Sequence, residues 1–314
     1  MGILTTTTGS FPKPRALKRA RYMFREQRID TAELSLEEDK ALAAVIALQE
    51  RLGLSILTDG EMTREDLVAH YAGCLEGVEK GSLVRCWGNH YVRRPRVTGS
   101  IERTASILAG GWKHARQYTT LPLRAIVTGP YTLMHWSYDE HYPTREACAR
   151  AFASVVAEEV ADLANAGATE IQVDEPAWGV DHEETAWATD LIGEIGARRG
   201  SARLWAHVGF GDPDPNWSAL AGLPVDCLMI GLAHQRLESD DGLALIPAGM
   251  TLAAGVIDSI DTDVESLDQV RERILQVARH VTGDRLILTT DSGLRGLAPT
   301  VVEEKVRRLV EAAG

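Results

Sequence analysis

Short, nearly unbroken apolar runs recur along the chain, separated by longer stretches in which apolar residues return every three or four positions. Eight of the runs read as strands, at residues 3–7, 55–58, 124–128, 170–174, 203–207, 227–230, 251–256 and 286–290. Continuity in place of strict alternation is what a parallel strand buried on both faces requires. The intervening stretches read as helices. Residues 33–52 set Leu42, Val45, Ile46, Leu48 and Leu52 at helical spacing and stop at Gly53, a C-cap signal. Residues 145–166 carry Phe152, Val155, Val156, Val160 and Leu163 ahead of Gly167, and 264–281 and 299–313 repeat the pattern. Pro299 stands near the start of the last helix, where a missing N–H costs nothing. This alternation predicts an α/β fold, a closed TIM (β/α)8 barrel, with an open doubly wound sheet as the alternative.

Two segments depart from plain alternation. Residues 82–101 read as two extended runs around a Gly88-Asn89 turn, a β-hairpin inserted after the second strand unit. Residues 9–32 form a polar, arginine-rich lead into the first long helix. No repeat or low-complexity tract interrupts the rest, so residues 1–314 read as one domain. Composition narrows the function classes. With 45% hydrophobic and 25% charged residues the chain has the balance of a soluble globular protein with a large core. A net charge of −12 opposes a general role on nucleic acid or anionic membrane. Cys74, Cys86, Cys148 and Cys227 show no CxxC spacing, which points to a reducing compartment. There is no charged-then-apolar leader and no apolar run near the roughly 18 residues that span a bilayer. The expectation is a cytoplasmic protein acting on a small molecule, with no statement on oligomeric state.

In barrels of this kind the chemistry sits at the C-terminal strand ends and the loops that follow. Those positions hold Ser10, Asp59, Glu61, Thr128, Asp174, Glu175, His207, Asp258, Asp291 and Ser292. Several acids and a histidine converging on one rim make an active-site composition. For any single acid, the alternative is that it caps a helix or binds loop amides.

The segments TTTTGSFPKP, ALQERLGLSILTDGE, TGPYTLMHWS, IQVDEPA and TTDSGLR, in that order, resemble successive signatures of cobalamin-independent methionine synthase, and only of its C-terminal catalytic barrel. The resemblance implies that Ser10, Glu61 and Asp174 clamp the carboxylate and ammonium of an amino-acid substrate. It also implies that Trp136 stacks on the pterin of methyltetrahydrofolate. On the folate-side segment, where the family has a Ser-Arg pair before the tyrosine, Asn89 and His90 stand instead. Arg93, Arg94 and Arg96 would attract a polyglutamate tail, or simply form a charged hairpin face.

The departure is sharpest at the family's zinc site, which activates the acceptor thiol through a histidine, two cysteines and a glutamate. Here the H-x-C step reads His207-Val208-Gly209, the strand-six ligand position is Gly231 and the strand-eight cysteine is Ser292. The family's acid histidine after strand seven falls on Ile260. The expectation is therefore no zinc, with His207, Asp174 and Asp291 handling protons. A replacement metal site would combine His207, His234 and Asp291. Three functions remain open: a folate-dependent methyltransferase whose acceptor is not homocysteine, a lyase or decarboxylase without folate, and a non-catalytic binder of amino acid or folate.

Overall fold

The computed structural model describes residues 2–85, 91–178, 182–208, 217–234, 241–281 and 283–314. Strand β1 (Leu4–Thr5) leads through α1 (Arg15–Arg25) into the long α2 (Thr31–Leu52). Asp30 opens α2 with a capping box shared with Glu33, and Gly53, at φ 86°, closes it in the left-handed region. Then come α3 (Ala69–Ala72), β2 (Leu75–Glu79), β3 (Leu83–Arg85), β4 (Tyr91–Arg93), β5 (Arg96–Arg103), α4 (Ala109–Ala115), β6 (Ala125–Thr128), α5 (Pro130–His135), β7 (Tyr138–Asp139) and α6 (Arg145–Asn165). From there strand and helix alternate. The order is β8 (Glu170–Asp174), α7 (Thr185–Gly196), β9 (Arg203–Val208), α8 (Trp217–Ala221), β10 (Cys227–Gly231), α9 (Asp241–Ala244), β11 (Thr251–Ile257), α10 (Leu267–Ala278), β12 (Leu286–Thr290) and α11 (Pro299–Ala313).

Seven of these strands form one parallel sheet in the order β1-β12-β11-β10-β9-β8-β6. The expected second strand, 55–58, differs from the prediction. It makes one parallel bridge, Leu57 to Leu123, and lies between the two edge strands. The Ile56 N–H donates to the Thr5 carbonyl at 3.1 Å, and the Arg124 N–H to the Leu57 carbonyl at 2.8 Å. Ser55 explains the broken ladder: its hydroxyl, in place of a carbonyl, accepts the Thr5 N–H at 3.1 Å. The sheet is thus curled as in a TIM-like barrel.

The insertion also differs from a lone hairpin. β3 and β4 pair antiparallel, while β5 leaves them to pair antiparallel with β2 and parallel with β7. The expected Gly88-Asn89 turn lies outside the described residues. Arg94 fastens this insert to the rim by donating to the His135 and Ser137 carbonyls, both at 3.3 Å, with its guanidinium 4.0 Å from the centre of the Tyr138 ring. Arg96 pairs with Glu140 at 2.6 Å. These two arginines serve the insert's own packing.

Ile56, Trp205, Cys227, Met229, Ala253 and Ile287 make a small apolar cluster of their own, apart from the main core. Beside Trp205 lies Arg124, fully buried, its guanidinium 4.6 Å from the ring centre. Where the chain leaves β12, backbone replaces side chains as the packing material. A Cβ on Gly255 would stand 2.6 Å from Cα of Asp291 and 2.9 Å from Cα of Gly231. Gly255→Ala should therefore cost about 1–3 kcal/mol in urea unfolding. Gly110→Ala, in open space on α4, should not destabilise the chain.

Candidate functional site

Parallel register sets which groups meet at the rim. Asp174, the last residue of β8, lies opposite His207 on β9. The two side chains are almost wholly buried and bond directly, Asp174 Oδ1 to His207 Nδ1. Gln172 Nε2 steadies the same oxygen at 3.1 Å while donating to the Thr8 carbonyl at 3.0 Å. His207 Nε2 is buried and, among the described residues, has no hydrogen-bond partner. One face of the ring is thus held by a carboxylate and the other is uncommitted.

Glu61 projects from the loop after 55–58. Its backbone is left-handed, φ 55°, a conformation a side chain rarely adopts, and its N–H is taken by Asp59 Oδ1 at 2.9 Å. Arg64 fixes this turn from below, donating to the Ile126 carbonyl at 2.9 Å and reaching Asp59 at 3.4 Å. Burial pushes the Glu61 carboxyl up, and the nearby charge of Asp174 adds to the push, against the pull of Arg64 and Lys13. Lys13 donates to the Glu61 and Gly60 carbonyls; burial pushes its ammonium down to about 7 while Glu61 holds it up. Two buried carboxyl groups within Coulomb range of each other, flanked by Lys13 and Arg64, are the acidic pair at this rim.

Ser10 is buried, with its carbonyl accepting the Leu294 N–H at 2.8 Å, so the β1 and β12 loops are tied at this point. Trp136 ends α5, partly buried against the core, and the Arg94 bonds bracket it from both sides. Asn89, His90 and Gly209 lie outside the described residues.

Glu175 follows the capping alternative. It accepts the Tyr131 N–H at 3.0 Å, the Thr132 N–H at 2.7 Å and the Thr132 hydroxyl at 2.6 Å, closing the N-terminus of α5. The carboxylate occupies the space a side chain at 129 would need: a Cβ on Gly129 would fall 2.1 Å from its Cδ.

The expected grouping of His207, His234 and Asp291 is corrected. His207 is committed to Asp174, and His234 instead meets Asp258 at 3.0 Å and Asp291 at 3.7 Å. Asp258 was read as a strand-end acid but not joined to this group, because β11 and the loop after β10 are brought together only by sheet pairing. At two of the positions compared with a His/Cys/Glu/Cys set stand Gly231 and Ser292, which carry no imidazole, thiolate or carboxylate. A Cβ at Gly231 would stand 3.0 Å from both Cβ and O of Asp291, so a side chain there would need the end of β12 to give way slightly. Ser292 bonds Ser259, hydroxyl to hydroxyl. The described cysteines Cys74, Cys148 and Cys227 stand before β2, in α6 and at the start of β10, away from these positions. Lys13, Arg64 and Ser259 had no signal in the pattern; they belong to the site only through long-range contacts.

A curled parallel sheet with acids, a histidine and a hydroxyl at its C-terminal strand ends defines a TIM-like-barrel enzyme site. Residues 3–314 match the family model described as cobalamin-independent synthase, catalytic domain, and the chain belongs to that family. It is 30% identical to a methionine synthase of Sulfolobus acidocaldarius over 98% of this chain and 90% of that protein. It is 31% identical to a 5-methyltetrahydropteroyltriglutamate–homocysteine methyltransferase of Mycolicibacterium paratuberculosis, over 98% of this chain but 42% of that one. In structure it is similar to a B12-independent methionine synthase from Shewanella sp. W3-18-1 solved with selenomethionine, with a TM-score of 0.88 at 24% identity, covering 100% and 97% of the two chains. Among the described residues no helix is long and apolar enough to cross a membrane.

Burial lifts the Glu175 carboxyl to about 7 despite its three donors. Between its unfolded pKa and that value the folded chain holds a proton the unfolded chain has released. The contribution therefore favours folding at acid pH and is lost as pH rises through about 7. Glu175→Gln has no proton to lose. Its stability should fall less than that of the wild type between about pH 5 and about pH 8, by about 1–3 kcal/mol in urea unfolding.

Proposed function

We propose that this chain, acting as one catalytic domain, is a methyltransferase that moves a methyl group from a methylated tetrahydrofolate to an amino-acid acceptor, without a thiolate-type zinc site on the β9 strand. The observation that carries the reading is the pair of buried carboxyl groups, Glu61 and Asp174, within electrostatic range of each other. A zwitterionic amino acid matches that arrangement: its ammonium faces the two acids and its carboxylate the Ser10 hydroxyl and neighbouring amides. The relatives' names, methionine synthase and a homocysteine methyltransferase, support methyl transfer and make homocysteine the first acceptor to test. Gly231 and Ser292 favour a different acceptor, a nitrogen or carbon nucleophile that needs no soft metal.

In this mechanism Glu61 and Asp174 orient the acceptor through its ammonium. His207, held by Asp174 through Nδ1, offers its uncommitted Nε2 to take the proton released when the nucleophile is methylated. N5 of the folate must gain a proton to leave, and Asp291, whose carboxyl burial pushes up, is suited to hold one. Trp136 supplies the flat face for the pterin. The folate-free lyase reading shares the clamp but has no use for Trp136, and the non-catalytic binder has no use for the His207 proton acceptor.

Mass spectrometry of protein incubated with methyltetrahydrofolate and an amino-acid panel that includes homocysteine tests the reaction. A methylated amine or carbon product upholds the proposal, methionine overturns the acceptor, and no methylated product overturns methyl transfer. Asp174→Asn and Glu61→Gln should each weaken amino-acid binding by about 2–5 kcal/mol without adding, since they share one ammonium. Trp136→Ala should weaken pterin binding by about 1–3 kcal/mol. A lower Tm with unchanged ligand affinity in the two clamp variants would make the acids structural.

A further inference from the structure

His234, Asp258 and Asp291 come from three neighbouring strand units: the loop after β10, the end of β11 and the end of β12. One ligand atom from each lies within 4.8 Å of the other two. The two carboxylates are nearly buried, with 10% and 9% of their side chains exposed, while the imidazole stands 59% exposed at the mouth. Each acid is fixed by backbone amides through one oxygen. Asp258 Oδ1 accepts the Ile260 and Asp261 N–H groups at 2.7 and 3.1 Å, and Asp291 Oδ1 accepts the Ser259 N–H at 2.8 Å. Asp291 Oδ2 lies outside that backbone bond and faces His234 at 3.7 Å, whereas at Asp258 the same Oδ1 that takes the two amides faces His234 at 3.0 Å. Such anchoring orients each carboxylate, as outer hydrogen bonds do for metal-ligating carboxylates. Burying two acids side by side is costly, and among the described residues their ion-pair partner is the exposed histidine.

We propose that His234, Asp258 and Asp291 bind one divalent cation at the barrel mouth, a borderline-to-hard ion of the Mn2+ or Zn2+ class held by one imidazole and two carboxylates. Oxygen donors with a single imidazole suit these ions, whereas a thiophilic site would need sulfur that the described residues of this rim do not offer. Bond lengths near 2.0–2.2 Å require the three ligand atoms to draw together by about 1 Å. The exposed His234 ring is the member free to move, the two acids being pinned. The site is distinct from the His207–Asp174 pair but shares Asp291 with the proposed methyl transfer, and a cation and a proton compete for that carboxylate, so binding is read apart from turnover.

The test is metal binding, read without turnover. The chain is dialysed against chelator and titrated with Mn2+ by electron paramagnetic resonance, then loaded with Zn2+ and assayed by elemental analysis. One ion per chain is expected, with a higher Tm in its presence. His234→Ala, at an exposed position, leaves the fold intact and should weaken binding by about 10–100-fold. Asp258→Asn keeps the amide-accepting oxygen and should do the same. His207→Ala should leave binding unchanged. Absence of stoichiometric binding, binding unaffected by His234→Ala, or loss on His207→Ala would each overturn the site.

Discussion

The parallel register between neighbouring strands is the constraint on which the rest of this molecule depends. β8, β9, β10, β11 and β12 all run the same way, so the residue that ends each strand faces its neighbour across the rim. Asp174 meets His207 because both sit at one level of the β8–β9 ladder. Asp258 and Asp291 meet because β11 and β12 end within a residue of each other. A slip in one ladder would separate these pairs, since strand register sets the level at which they meet before the loop amides orient the side chains.

Much of this was legible in the sequence, for a physical reason. Strands buried on both faces must be apolar throughout, and β8 and β12 begin and end where the apolar runs do. The run at 55–58 has the same character, yet Ser55 spends its side chain on a bond the ladder would have made through backbone. Apolar content cannot report that exchange. The insert misled for a related reason: alternation shows that residues extend, not which partner they choose, and β5 chose β2 over β4.

Site residues divide the same way. Asp174 and His207 lie at strand ends and Ser10 and Glu61 on the loops that follow, the positions that the barrel pattern singled out. Lys13, Arg64 and Ser259 act across the chain, and Arg64 reaches a carbonyl 62 residues away. Lys13 and Arg64 act electrostatically, pulling the Glu61 carboxyl down against burial, and Ser259 acts through its N–H on Asp291. Pairing among strand-end groups was legible only in part: His207 and Asp174 were grouped for proton handling, but the metal grouping took His207 where Asp258 stands, because distance across a barrel mouth leaves no trace in spacing.

The contact between Gly129 and Glu175 carries a consequence for how this sequence can change. The two positions fill one volume: the carboxylate of the second stands where the first would grow a side chain. A mutation at 129 alone evicts the acid and strips two amides and a hydroxyl of their acceptor. A mutation at 175 alone strips the same groups and opens a hole beside the glycine. Neither single step is neutral, so drift must take both together. Positions 129 and 175 are therefore expected to vary as a linked pair, 46 residues apart along the chain, each recording the state of the other.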